Sequence, residues 1–350
     1  MKVTEAKEKG YLTYEEIVKL YEKEPPITYL WSGIVENSMG IFFAPPKSGK
    51  STLCECLGMH LAVGRKEFMG FNLDGNPRKV IFIGLEEHWK MRARRNISQY
   101  QTLNDAEQLL YNTNFTYQPK EYLRLISKDS DWARLKKTIK SSEAQVVFID
   151  SITRLNHGSL EKSSDAEKIM LKLRNLSQDL NITLICIHHT PKIGNRSLTM
   201  DCMKGSVVFA QEADFIIGLR NTNNKVRYLK NIEFRYKEVD DSVIHQFQFT
   251  QNSTIDYQGT GTEWELLEGT DGRRADNHRN SIIKKINELE CKPVSTADLV
   301  KILKKEIGLE ERQIKEHLRD LVNGGKIKKP KHGFYISMDC SNKVENDEEK

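Results

Sequence analysis

The sequence predicts an α/β protein with a mostly parallel, twisted sheet, followed by a small C-terminal domain of a different pattern. Apolar runs without polar alternation recur between residues 40 and 219, and such runs are typical of strands buried on both faces of a parallel sheet. Stretches with helical periodicity lie between these runs, as a doubly wound sheet requires. The pattern changes at residue 281, where three amphipathic helices and a lysine-rich segment follow.

Five apolar runs are the predicted core strands: residues 40–44, 80–84, 146–150, 182–187 and 215–219. Helices are expected between them, for example over residues 132–140 and 165–180. A short helix over residues 14–22 precedes the sheet, and residues 224–257 have the pattern of antiparallel strands. The predicted order is therefore that of a parallel sheet with an antiparallel extension.

Composition excludes several classes of protein. The chain has 350 residues and an apolar fraction of 38%, without any run of about 18 apolar residues, so a transmembrane helix is not expected. The first nine residues lack the apolar core of a signal peptide. The six cysteines include no Cys-x-x-Cys pair, which does not favour a zinc site. We expect a cytoplasmic protein of two or three domains.

The segment after the first strand has the pattern of a phosphate-binding loop. Gly49, Lys50 and Ser51 follow this strand and precede a predicted helix, which is the order found in P-loop NTPases. Backbone N–H groups of such a loop surround a β-phosphate, and the lysine reaches the β- and γ-phosphates. Ala44 stands where the motif G-x-x-x-x-G-K-[ST] begins with glycine. The residues expected to bind ATP are Pro45, Pro46, Lys47, Ser48, Gly49, Lys50, Ser51 and Thr52.

A magnesium site is expected beside this loop. Asp150 ends a core strand about a hundred residues downstream, which is the Walker B placement, in which a carboxylate holds Mg²⁺ opposite the P-loop hydroxyl of Ser51. An aspartate at a strand end is common by itself. Its combination with the P-loop is what predicts the metal role of Ser51 and Asp150.

Hydrolysis of ATP also needs a group that orients or deprotonates water near the γ-phosphate. Glu86 and Glu87 follow the 80–84 strand at the same expected edge of the sheet, and the strand end favours Glu86. The alternative is that both belong to an ordinary surface loop. Lys50 joins Glu86 in the predicted catalytic set through its contact with the phosphates.

A pair of histidines follows the 182–187 strand. His188 and His189 would point to opposite faces of a strand, and no third ligand is near in sequence, so a metal site is not favoured. The strand ends at the nucleotide edge, where a polar group can sense the γ-phosphate. We assign this role to His189, as the third catalytic candidate.

The stretch from residue 30 to about residue 237 resembles the RecA-like ATPases of the plasmid RepA hexameric helicase type. The motifs that carry the resemblance are the Trp-Ser-Gly lead-in at 31–33, the loop at 44–52, the strand and two glutamates at 80–87, the Walker B strand at 146–151, His-His-Thr-Pro-Lys at 188–192, Lys-Gly-Ser at 204–206 and Ala-Asp at 213–214. These motifs are specific for the superfamily, in which RecA, KaiC and DnaB relatives share the core. They are less specific for helicase activity.

The resemblance implies a hexamer or other ring, with ATP between subunits and single-stranded DNA at its centre. The DNA-facing loops would be residues 154–164 and 193–204, and the second carries Arg196 and Lys204 for DNA phosphates. An ordinary solvated loop is the alternative for both.

One departure from the family concerns its arginine finger, which falls here near Ala213-Asp214. Arg220, Lys230 and Arg235 are the nearest cations. Lys230 and Arg235 lie on a segment that resembles the basic strand from which related rings take their trans-acting fingers, and we retain both as candidates. An ordinary surface role is the alternative for each.

Residues 281–338 have the pattern of a winged helix, with three amphipathic helices and a short hairpin. Ser295 is the expected N-cap of the second helix. Residues 276–338 carry 14 Lys or Arg against 9 Asp or Glu, a net charge of +5, which indicates duplex DNA as a partner. The predicted contacts are Arg312, Lys315 and Arg319 on the third helix and Lys328, Lys329 and Lys331 on the hairpin. Glutamates at 310, 311 and 316 leave a protein-docking winged helix as the alternative.

The expected domains are an N-terminal segment (1–29), an ATPase domain (30–257), a linker (258–280), a winged helix (281–338) and a disordered tail (339–350). The function that follows is a Mg²⁺-dependent ATPase acting on DNA, as a hexameric replicative helicase of plasmid or mobile-element type. The alternatives are a RecA-like repair or recombination ATPase and an ATP-switched winged-helix regulator that binds DNA.

Overall fold

The computed structural model describes residues 10–155, 163–191, 193, 196–203, 208–222, 226–263, 266–267, 279, 281–289, 292–307, 309–323, 326–331 and 333–337. The chain divides into two compact units, Met1–Thr262 and Glu263–Lys350. Each unit has a hydrophobic core of its own. The predicted tail at 339–350 lies outside the described residues.

The helices of the first unit alternate with its strands along the chain. They are α1 (Tyr14–Tyr21), α2 (Lys50–Val63), α3 (Trp89–Tyr100), α4 (Asp105–Asn114), α5 (Asp129–Ser142), α6 (Ser163–Leu180) and α7 (Val208–Glu212). The strands are β1 (Tyr29–Trp31), β2 (Ile34–Val35), β3 (Met39–Ala44), β4 (Glu67–Phe68), β5 (Phe71–Asn72), β6 (Val80–Gly84), β7 (Phe115–Tyr117), β8 (Val146–Asp150), β9 (Thr183–His189), β10 (Phe215–Asn221), β11 (Arg227–Phe234), β12 (Val243–Phe249) and β13 (Ile255–Thr262). Within the described residues, no helix is both long and apolar enough to cross a membrane.

A nine-stranded sheet organises the first unit, in the order β13-β12-β11-β10-β3-β9-β8-β6-β7. The strands from β10 to β7 are parallel, and β11, β12 and β13 continue the sheet in antiparallel fashion. Every residue of β3 and β8 is buried, because helices cover both faces of the parallel part. The prediction of an α/β fold with a mostly parallel sheet is therefore confirmed.

The antiparallel extension is longer than the sequence suggested. Strand β13 pairs with β12 as far as Thr262, so residues 258–262, which we assigned to the linker and excluded from the ATPase domain, belong to the sheet. The pairing contains an irregularity beside Phe247, next to which Gly259 adopts a φ of 96°. A bulge of this kind uses a glycine inside a strand, and the glycine- and threonine-rich composition of this segment was the reason for the wrong assignment.

The second unit contains helical residues 281–288 (α8), followed by β14 (Val294–Ser295), α9 (Thr296–Ile307), α10 (Glu311–Asn323), β15 (Ile327–Lys328) and β16 (Phe334–Ser337). The strands form a three-stranded sheet in the order β14-β16-β15. The backbone N–H of Asp298 donates to the Ser295 hydroxyl at 3.1 Å, so the predicted N-cap is confirmed. Apolar residues from all three helices form the core, among them Ile282, Ile286, Leu299, Leu303, Ile314 and Leu318.

Candidate nucleotide-binding site

The predicted phosphate-binding loop lies at the carboxyl end of β3. This strand ends at Ala44 and α2 begins at Lys50, so residues 45–49 form the connection. The Ser48 hydroxyl donates to the Pro45 carbonyl at 2.8 Å, which closes the loop on itself. The start of α2 faces the same end of the sheet, where the first N–H groups of a helix are free to bind an anion.

Glycine is required at one end of this loop but not at the other. Gly49 has a φ of 95°, and a Cβ there would lie 2.3 Å from Cε2 of Phe249. A side chain would therefore be strained and would clash with the ring. Ala44, in place of the first glycine of the motif, is an ordinary residue of β3 without a positive φ. The departure from the motif leaves the path of the backbone intact.

The ammonium group of Lys50 folds back over the loop. Its Nζ donates to the carbonyl oxygens of Ala44 at 2.9 Å and Pro45 at 3.0 Å. Burial lowers the pKa of Lys50 to about 8, although the nearby carboxylates of Asp150 and Glu86 favour the charged form. A phosphate at this position would add negative charge beside a cation that is already desolvated. The position of Lys50 therefore fits a contact with phosphates.

Ser51 and Asp150, the predicted metal ligands, are in direct contact. The Ser51 hydroxyl donates to Oδ2 of Asp150, the buried last residue of β8. Burial raises the pKa of the Asp150 carboxyl, because a carboxylate in this place has lost its water. Hydroxyl and carboxylate oxygens are the hard ligands that Mg²⁺ prefers, with water and phosphate completing its shell. The donor set therefore fits Mg²⁺.

Glu86 lies just beyond β6, and both of its carboxylate oxygens have partners. Oε1 accepts hydrogen bonds from the hydroxyls of Ser151 at 2.5 Å and Thr153 at 2.6 Å, and Oε2 lies 2.9 Å from Nε2 of His189. Burial alone would raise the pKa of Glu86, but these bonds together hold it at about 2. The group stays ionised and oriented. As held here it can orient a water, and losing one of these donors would make it a stronger base.

The structure separates Glu86 from its neighbour. Glu87 forms an ion pair with Arg95 on α3, with 2.6 Å between Oε2 and Nη2. It therefore has a structural partner of its own, whereas Glu86 lies with Ser151 and His189 near the Ser51–Asp150 pair. The two glutamates therefore differ in their partners, and the assignment of the water-orienting role to Glu86 stays a prediction.

The two histidines at the end of β9 have different surroundings. His188 is buried, with its ring centroid 5.1 Å from that of Phe209, whereas the partly exposed His189 contacts Glu86. No group of three or more His, Cys, Asp or Glu among the described residues could hold a metal ion. The role of His189 as a γ-phosphate sensor stays a prediction, and the structure shows only its contact with Glu86.

The candidates for a trans-acting cation are buried or form contacts within this chain. Lys230 is only 7% exposed in the interior strand β11, which does not favour a role in trans. Arg220 is buried as well and donates to the Arg196 carbonyl. Arg235 is half exposed, donates to the Gln211 carbonyl at 2.9 Å and lies 3.5 Å from Asp214. The assignment of a finger to Arg235 stays a prediction.

A cation that sequence reasoning missed lies at the loop itself. Nε of Arg227 donates to the Ser48 carbonyl at 3.1 Å, and its guanidinium carbon lies 4.8 Å from the ring centroid of Phe249. The same ring covers Gly49. Arg227 and Phe249 come from β11 and β12, and no local motif marks either residue. Only the sheet order brings them to a loop about 200 residues earlier in the chain.

The predicted DNA contacts of the first unit are only partly described. Arg196 is exposed, and its Nε donates to the Ile193 carbonyl at 3.2 Å. Lys204 and residues 156–162 of the other loop lie outside the described residues. Their role in DNA binding stays a prediction.

The cations assigned to DNA in the second unit lie on its surface. The six residues are exposed: Arg312, Lys315 and Arg319 on α10, and Lys328, Lys329 and Lys331 on or beside β15. Two of them have neighbours, since Lys315 pairs with Glu311 at 2.7 Å and Lys331 lies 4.3 Å from the ring centroid of Phe334. Exposed cations of this kind can contact a polyanion.

Comparison with known proteins adds a family and a fold. The family model of the AAA domain (AAA_25) matches residues 12–195, which is more than half of the chain and contains the loop, Glu86, Asp150 and His189. Among solved structures, the chain is similar to the ATPase domain of G40P, with a TM-score of 0.51 and 15% identity, covering 69% of this chain and 96% of that chain. At this identity the likeness supports a RecA-like core and nothing finer. The curated proteins include no match.

Proposed function

This chain belongs to the AAA domain family, and from this membership we propose that it is a Mg²⁺-dependent ATPase that acts on DNA as a ring of subunits. One observation carries the proposal. Lys50, the Ser51–Asp150 pair and Glu86 come from the ends of three parallel strands or the helix that follows, and they meet at one edge of the sheet. A cation, a metal-binding pair and an oriented carboxylate are the groups that phosphoryl transfer to water needs.

Each group has a distinct task in the proposed reaction. The backbone of residues 45–50 binds the β-phosphate, and Lys50 neutralises charge on the transferred group. Ser51 and Asp150 would hold Mg²⁺, which supplies charge stabilisation at the phosphate oxygens. Glu86 orients the attacking water, and His189 holds Glu86 in place until the γ-phosphate competes for its ring.

The DNA-binding part of the proposal rests on the second unit. We interpret α8, β14, α9, α10, β15 and β16 as a winged helix, in which α10 is the recognition helix and β15, β16 and the described residues between them form the wing. The order of elements and the exposed cations of α10 and the wing support this interpretation. Lys328 and Lys329 form no ion pair with any described residue and suit phosphate contacts, whereas Lys315 shares its charge with Glu311.

We further propose a hexameric replicative helicase of the plasmid or mobile-element type, working in the cytoplasm. The RecA-like core supports the helicase function, because the family that the chain resembles binds ATP between subunits. Arg235 is the candidate for the cation supplied to a neighbouring site, because it is half exposed in this subunit. Arg196 would contact single-stranded DNA.

The test is ATP turnover with and without single-stranded DNA, read together with the mass of the protein in solution. We expect turnover to rise with DNA in a particle of about six subunits. Stimulated turnover without unwinding of a forked duplex would favour a repair or recombination ATPase. Very slow turnover with nucleotide-dependent binding to one duplex sequence would favour a regulator, and absence of turnover would contradict the enzyme proposal.

A further inference from the structure

One arginine connects α2, the helix that begins with Lys50 and Ser51, to the segment that carries Glu86. Arg95, on α3, holds Glu55 through Nε at 2.5 Å and Nη2 at 2.9 Å. The same guanidinium holds Glu87 through Nη1 at 2.8 Å and Nη2 at 2.6 Å. Both carboxylates are therefore bound in the bidentate manner that gives such pairs their directionality.

The surroundings make this connection stiff. The side chain of Glu55 is 0% exposed, that of Arg95 16% and that of Glu87 31%. Burial raises the pKa of Glu55, whereas the two carboxylates raise that of Arg95 against the effect of its own burial. Movement of Arg95 away from Glu55 would leave a buried carboxylate without its cation, which is costly.

Glu55 and Glu87, the two carboxylates bound by Arg95, belong to different parts of the site. Glu55 lies four residues after Ser51, so both are on the same face of α2, one turn apart. Glu87 directly follows Glu86. The segment that carries these two glutamates has a second attachment, because the Leu85 N–H donates to the Asp150 carbonyl at 2.6 Å. Glu86 is thus fixed from both sides along the chain.

We propose that Arg95 is a positioning residue for Glu86, and that it sets the place of this carboxylate relative to the helix that presents Lys50 and Ser51. The inference rests on the proposed ATPase function. The partners of Arg95 are Glu55 and Glu87, and Arg95 is not one of the groups to which we assign a contact with the phosphates or the water. It acts through Glu87, and only a guanidinium can serve two carboxylates with parallel pairs of hydrogen bonds.

The expected effect follows from the geometry that hydrolysis requires. A water held by Glu86 must lie in line with the phosphorus atom, and a misplacement of about 1 Å can cost on the order of 10²-fold in rate. Binding of ATP depends instead on the loop and α2, which loss of the Arg95–Glu87 contact would leave unchanged. Loss of the Arg95–Glu87 contact should therefore lower turnover but not affinity.

The central variant is Glu87→Gln in the full chain, because Glu87 is the most exposed member of the three and the buried Glu55–Arg95 pair survives. We expect turnover to fall about tenfold, with ATP affinity and the thermal midpoint of unfolding close to those of the wild type. Arg94→Gln, an exposed arginine beside Arg95 on the same helix, is the matched control and should keep full turnover. Glu86→Gln, which removes the water-orienting carboxylate itself, gives the reference for complete loss.

A second pair of variants tests whether Arg95 and Glu87 act as one unit. Arg95→Lys should lower turnover at least as much as Glu87→Gln, and the double variant should be no slower than Arg95→Lys alone. Wild-type turnover in Glu87→Gln, losses that multiply in the double variant, or an ATP affinity that falls in step with turnover would overturn the inference in favour of a merely structural arginine. Absence of turnover in the wild type would instead refute the proposed ATPase, and this inference with it.

Discussion

The charged residues of the candidate nucleotide site and the predicted DNA contacts of the second unit have opposite surroundings. In the first unit, Lys50, Glu55 and Asp150 are at most 6% exposed, and each has named partners within hydrogen-bond distance. In the second unit the predicted DNA contacts are all exposed on α10 and the wing. A buried charge is fixed in place by its partners, whereas an exposed charge interacts through a field that salt screens. The difference is the one expected if the first unit holds the proposed catalytic site and the second unit offers the proposed surface for a polyanion.

Substitution of Lys50 is the strongest way to test this difference. Lys50→Ala should lower ATP turnover by about 10²- to 10³-fold, because the variant lacks the cation that neutralises the transferred phosphate. The thermal midpoint of unfolding should change little, since the ammonium group contacts only loop carbonyls. Lys137→Ala, an exposed lysine of α5, is the control. Undiminished turnover in Lys50→Ala would remove the assignment of the phosphate-binding loop.

Removal of residues 276–350 tests the other side of the comparison. The shortened chain should still assemble and hydrolyse ATP with stimulation by single-stranded DNA, because the nucleotide site lies wholly in the first unit. Its affinity for duplex DNA should fall, most of all at low salt. If each of the lysines at 326, 328, 329 and 331 releases one counterion, the slope of log affinity against log salt should become shallower by about 3.6. Unchanged duplex affinity would instead favour a protein-docking role for the second unit.

The pH dependence of ATP binding is a smaller effect and sharpens the comparison. The pKa of Lys50 is about 8 in the free protein, and bound phosphates would raise it. The contribution of the charged lysine to ATP affinity is then fully present below pH 8 and is lost as pH rises above it. The affinity should fall by up to about tenfold per pH unit until the pKa of Lys50 in the ATP complex is reached. Titration of a fluorescent ATP analogue between pH 7 and 9.5 measures this. Lys50→Ala should bind weakly with no such slope, and a slope retained in that variant would assign the effect to another group.

The sequence was sufficient for the parts of the site that local patterns encode. Continuous apolar runs predicted β3, β6, β8 and β9, and the polar residues just after them were expected at one edge of the sheet. The contact between Ser51 and Asp150, about a hundred residues apart, follows from that rule alone. The choice of Glu86 over Glu87, which also came from its place at the strand end, stays a prediction.

Other features depend on packing that no short pattern records. The Glu55–Arg95–Glu87 connection requires α2 and α3 to lie side by side, and an isolated glutamate or arginine in a helix is read as a solvated residue. Arg227 and Phe249 reach the loop only because β10 and β11 continue the sheet beyond β3. The end of the first unit was misplaced because glycine and threonine inside β13 resemble a linker.

The place of β3 in the sheet has a consequence for any shortened form of this protein. The family match ends at residue 195, yet β3 pairs on one side with β10, which begins at residue 215. A fragment cut to the matched segment would expose the backbone edge of its central strand and an apolar flank, and such edges promote aggregation. The region that is recognisable by homology is therefore smaller than the region that can fold, and a soluble ATPase fragment should extend to residue 262.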